Sequence, residues 1–218
     1  MAIQLQGNTG VVAEVDGTTY RAMRTTLRPM DYGALGSYRV GALSGTMAAG
    51  LAANAEIFQF RWTDATRICV VTSVDWNGLS GSATAFAAGF SQVSLWIARS
   101  WTADGAGGTA VTPTGNNNKT RTSMGASLLG SARISSTAAL TAGTKTLDAN
   151  SVGNYSAAIG TTTSTQWMPK HELWHANPGS ESPLILAQNE GFVVRASVPA
   201  TGTWQFGITV AWTELEAY

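Results

Sequence analysis

Few of the 218 residues are charged, and one is a cysteine. Charged side chains make up 12% of the chain, roughly half the usual one in four, and Lys+Arg and Asp+Glu stand at 13 each. With no basic excess to neutralise phosphates, a general nucleic-acid binder is not expected. A single cysteine excludes an internal disulfide, and Cys69, within "RICVV", reads as a buried, unreactive thiol. No apolar run approaches the ~20 residues that a bilayer helix needs. The best one, "GTMAAGLAANAEIF", is broken by Asn54 and Glu56, so no membrane partner is expected. The opening "MAIQLQGNTG" has no basic segment followed by an apolar one, and no export signal is read there.

What is abundant is Gly, Ser, Thr, Ala and Asn, a surface of hydroxyls and amides that suits a permanent assembly. Residues 1–44 carry repeated glycines and Pro29 without sustained periodicity, which predicts an extended N-terminal arm with one short strand at 10–15. Between Gly17 and Met47 four arginines (Arg21, Arg24, Arg28, Arg39) face one acid, whereas from Glu172 onward five acids face Arg195. That asymmetry is either ordinary solvated charge or an arm that docks on an acidic neighbour through Arg21, Arg24 and Arg28.

From residue 45 the chain reads as one all-β domain, an antiparallel β-sandwich of the jelly-roll kind with about eight strands. Strands are expected at 57–62, 67–74, 82–90, 92–101, 132–140, 156–163 and 192–198. The cleanest alternation is the last, with Trp204, Phe206, Ile208, Val210 and Trp212 on one face. Trp204, Phe206 and Trp212 are expected in the core or at a subunit interface. The "PATG" turn predicts that the last two strands form a hairpin. The Gly- and Asn-rich segment after Trp101 reads as a long loop.

One motif has catalytic spacing. "HELWH" matches H-E-x-x-H, in which His171 and His175, one helical turn apart, would bind zinc and Glu172 would act as base. Pro169 and the Pro178-Gly179 pair confine any helix to two turns, and the competing reading is a surface turn with two histidines. "GNNNKT" lacks the glycine that should precede the lysine of a phosphate loop. No nucleophile elbow is recognisable, and the chain reads as a non-enzyme without a cofactor. Of eight tryptophans, Trp76, Trp101, Trp167 and Trp174 lie near turns or strand ends, where exposed rings would stack on sugars.

The stretch "SPLILAQNEGFVVRASVPATGTWQFGITVAWTELEAY", together with "FSQVSLWIARSWTADGAGGTAVTPTGNNNKTRTSMG", resembles small jelly-roll virion proteins of tailed bacteriophages, above all decoration or cement proteins of the head. That resemblance implies a homotrimer on the outside of the capsid, made in the host cytoplasm, with the major capsid protein as partner. Jelly rolls of tail fibres and spikes, or a carbohydrate-binding adhesin, are the alternatives it leaves.

Overall fold

The computed structural model describes residues 5–6, 12–13, 36–80, 83–113, 115, 117–159, 166–176 and 183–216. The chain divides into two compact units, Met1–Gly33 and Ala34–Tyr218. In the first, β1 (Leu5–Gln6) and β2 (Val12–Ala13) form a short antiparallel ladder. The second holds β3 (Gly36–Leu43), β4 (Met47–Ala48), β5 (Ala55–Trp62), β6 (Ile68–Ser80), β7 (Gly89–Ala103), β8 (Thr109–Ala110), β9 (Ser131–Ile134), β10 (Thr144–Leu147), β11 (Gly153–Ile159), β12 (Gln166–His175), β13 (Leu184–Leu186), β14 (Glu190–Ser197) and β15 (Thr203–Leu215). No helix occurs among the described residues.

These strands make an antiparallel β-sandwich. One sheet has the order β10-β7-β14-β5-β9-β8, with β11 also on β7; the other has β12-β6-β15-β3, with β13 on β6 and β4 on β15. Period-2 alternation aims one row of each strand at the opposite sheet. Phe58, Phe60 and Trp62 of β5 and Phe192, Val194 and Ala196 of β14 thus face Trp204, Phe206, Ile208, Val210 and Trp212 of β15, all of them buried. The structure places Trp204, Phe206 and Trp212 inside the core of one chain.

The long strands pair from the outside inward: β3 with β15, β5 with β14, β6 with β12, and β7 with β11. This nesting corrects the expected hairpin. β14 lies between β5 and β7, whereas β15 lies between β6 and β3, so the "PATG" turn carries the chain from one sheet to the other. In these four pairs the partner is found far along the sequence, where a local turn signal has no bearing.

The arm boundary at residue 44 is corrected as well. Gly36–Leu43 is a full strand, with Tyr38, Val40 and Ala42 turned into the core and paired along β15. The expected strand at 82–90 is irregular at 83–88 and enters β7 only at Gly89, while that at 132–140 stops at Ile134. β6 runs six residues beyond the expected end at Val74, because Asp75 and Asn77, which read as turn residues, are outward positions of a strand whose inward side holds Val74 and Trp76.

Candidate functional site

The H-E-x-x-H sequence lies on β12, so the helical premise of the zinc reading is wrong, and so is the surface turn. Pro169 is tolerated because β12 is an edge strand, where a missing N–H breaks no central ladder. The register against β6 shifts between Met168 and His171 and again between Glu172 and Trp174. As a result His171 stands opposite Trp76, Glu172 opposite Asp75, and His175 opposite Ser73. Trp76 and Ser73 point to opposite faces of β6, and so do the two imidazoles beside them. His171 packs on Tyr155 with ring centroids 4.7 Å apart, and Tyr155 on Trp76 at 5.1 Å. Among the described residues no group of three or more His, Cys, Asp or Glu is placed to hold a metal ion.

The tryptophans separate sharply. Trp76 and Trp101 are fully buried and Trp174 is half-buried, whereas Trp167 is 67% exposed. Trp167 stands on the outer face of the β12-β6-β15-β3 sheet, in one row with Leu79 and Gln205. The next outward row runs Asn77, Gly207, Leu43, and Leu43 is 80% exposed. Because Gly207 has no side chain, an open groove of about 240 Å³ lies here, lined by Leu43, Trp167, Asn77 and Gln205 among others. A Cβ at Gly207 would come within 2.7 Å of Asn77 Oδ1 and 3.0 Å of Leu43 Cδ2, so the glycine is what keeps it open. An indole, an isobutyl group and two amides around a shallow trough suit a flat ligand with one apolar face and polar edges.

Further along the same face, buried Asp75 is flanked by Lys170 at 3.2 Å and Arg39 at 3.7 Å. Arg39 is the one arginine of the basic segment within the described residues; Arg21, Arg24 and Arg28 lie outside them. Residues 118–120 of the "GNNNKT" segment run beside β3, where Arg39 N donates to Asn118 O and Thr120 N to Ser37 O. They extend the sheet edge.

A second polar constellation, which the sequence reading missed, lies on the outer face of the other sheet. Glu56 and Gln59 of β5 are both buried, and Lys145 of β10 reaches them with only 2% of its side chain exposed. One oxygen, Glu56 Oε2, accepts from Lys145 Nζ at 2.8 Å and from Gln59 Nε2 at 2.6 Å. Gln59 Nε2 also donates to Thr141 O at 2.8 Å, and Gln59 Oε1 accepts from Gly105 N at 3.1 Å. Lys145 Nζ donates to Ala142 O and lies 4.5 Å from the centre of the Trp101 ring. A Cβ on Gly105 would sit 2.6 Å from Gln59 Nε2, so only glycine admits the loop this close. The available signal was polar residues at outward positions of a strand, "AEIFQFRW", too apolar to face open solvent.

A third buried group is Glu214, which accepts from Ser127 Oγ at 2.7 Å, from Leu128 N, and from Trp212 Nε1 at 3.2 Å. Burial pushes its carboxyl above the usual range, with these hydrogen bonds opposing. Burial, and then the Glu214 charge, push the Tyr38 hydroxyl up to about 12. The same causes raise the Cys69 thiol, which stands opposite Glu214 in the ladder.

No family model matches this chain, and no curated protein matches it.

Proposed function

We propose that the chain is a structural virion protein, a jelly-roll decoration or cement protein that binds the outside of a phage head as a homotrimer, without catalysis or cofactor. The observation that carries the reading is the nested pairing of β3 with β15, β5 with β14, β6 with β12 and β7 with β11 around one sandwich core. That winding is the one expected of a jelly roll, in which eight strands split into two sheets. It accords with the resemblance of the stretches 90–125 and 182–218 to head decoration proteins and with a chain poor in charge. Arg21, Arg24 and Arg28 supply the attraction to an acidic face of the major capsid protein. Three such contacts joined in one trimer raise the effective concentration of the second and third, so weak contacts give strong retention.

The test is binding of the full chain to expanded shells that lack it, followed by sedimentation, with native mass spectrometry of the free protein. A trimer that saturates the shells supports the proposal. A monomer that leaves them bare overturns it.

A second reading, a glycan-binding module of a tail fibre or adhesin, is favoured by the Trp167 groove. It predicts that an oligosaccharide quenches tryptophan fluorescence in the native chain and leaves Trp167→Ala unchanged. An unquenched signal across neutral and acidic glycans removes that reading.

A further inference from the structure

We propose that Lys145 and Gln59 are joined by an intramolecular isopeptide bond, formed by the folded chain itself with Glu56 as the proton carrier. This rests on the buried constellation alone and is independent of the virion reading.

The parts of an acyl transfer are all in place. The nucleophile is Lys145 Nζ, the electrophile is Gln59 Cδ, and the leaving group is Gln59 Nε2. Attacking and departing nitrogens hydrogen-bond to the same oxygen, Glu56 Oε2, at 2.8 and 2.6 Å. One carboxylate can therefore take a proton from the first and hand it to the second without moving. Charge that develops on Gln59 Oε1 is met by the Gly105 N–H, already aimed at it at 3.1 Å. The site is dry, with the side chains of Lys145 and Glu56 only 2% and 8% exposed, so water does not compete as a nucleophile. The shared acceptor Glu56 Oε2 holds the amine beside the amide, which supplies the effective concentration that an uncatalysed transamidation lacks.

The step balances as follows. The Lys145 ammonium gives one proton to the Glu56 carboxylate and becomes a neutral amine. Its lone pair forms the Nζ–Cδ bond; Glu56 then protonates Nε2 as the Cδ–Nε2 bond breaks, and takes the remaining surplus proton from Nζ. Ammonia leaves, a secondary amide remains, and Glu56 ends as a neutral acid. No oxidant or second substrate is required. The driving force is local, because a buried ion pair, costly to desolvate, is replaced by neutral hydrogen-bonding groups. The new bond would tie β5 to β10 across the outer face of β14 and β7.

The experiment is intact mass under denaturing conditions, with fragmentation of a digest. The expected native-sequence protein is lighter than its Lys145→Arg variant by one ammonia beyond the difference of the two residues, and its digest contains a branched peptide joining Gln59 to Lys145. Glu56→Gln, which removes the proton carrier, is expected to restore the full mass. A full-mass native chain overturns the proposal. So does an ammonia loss that persists in Lys145→Arg, which would mark a succinimide at Asn77-Gly78. Loss of water with a branch between Lys145 and Glu56 overturns the role given to Gln59. The first measurement needs no variant to fold.

Discussion

Phe60 of β5 and Trp212 of β15 meet edge to face across the sandwich, with ring centroids 5.3 Å apart and planes at 73°. Phe192 stacks on Phe60 at 4.9 Å and Tyr38 on Trp212 at 5.4 Å, so four rings cross the core from one sheet to the other. Truncation of either central ring leaves a cavity that rigid strands cannot close. Phe60→Ala and Trp212→Ala are each expected to cost about 3–5 kcal/mol in urea unfolding. The double variant should show a coupling of about 0.5–1.5 kcal/mol, the edge-to-face share of the loss. Additive losses would mean that the rings contribute area alone.

Cys69 is fully buried, and its thiol is held well above its ordinary value by burial and by Glu214. Since the thiolate is the reactive form, a thiol-specific disulfide reagent should leave the native protein unmodified and label one equivalent after denaturation. Labelling of the native chain at a rate independent of denaturant would show that the strand end around Cys69 opens.

Tyr38 carries the sign of an alkaline transition. Its hydroxyl donates to Gly125 O at 2.9 Å and titrates at about 12 in the folded chain against 10.0 when free. Between those values the folded chain holds a proton that the unfolded chain has lost, so stability is full below pH 10.0 and falls as pH rises toward about 12. Tyr38→Phe keeps the ring stack and should flatten that slope in urea midpoints. Glu214, also raised, works in the same direction at lower pH. Its contribution is full below the ordinary carboxyl range and is lost as pH rises through its raised value, so Glu214→Gln should weaken that dependence.

At the groove, stability and binding separate. Trp167 is largely exposed, and Trp167→Ala should change unfolding free energy by no more than about 0.5 kcal/mol. Gly207→Val, which fills the trough from its floor against Asn77 and Leu43, should block any ligand while Trp167 stays in place. Equal ligand response in both variants and the native chain would exclude this face as a binding site.

Several strands were legible from the chain alone: β5, β7, β14 and β15 overlap the stretches where strands are expected, and the inward row of β15 is the one its alternation assigns. β3 was hidden, because Gly36 and Gly41 make "GSYRVGAL" look like linker while Tyr38 and Val40 do the packing. β12 was hidden by a motif whose meaning depends on its being a helix; on a strand, the one register shift between Glu172 and Trp174 sends the same histidines to opposite faces. Pairing was illegible for a different reason. Nothing local to β14 tells it to choose β5 and β7 over β15, since that choice is made by complementary faces more than a hundred residues apart in the case of β5. The Lys145 constellation was out of reach on the same ground: its members come from β5, β10 and two loops that only the finished sheet assembles.

The nested order also sets a timetable for synthesis. β15 fills the slot between β3 and β6, yet it leaves the ribosome after both. Until Thr203–Leu215 emerges, two unpaired strand edges flank an empty lane, the kind of surface to which a neighbouring nascent chain can add itself. Closure of this sheet therefore waits on β15, and a chain interrupted before it is left as a template for aggregation.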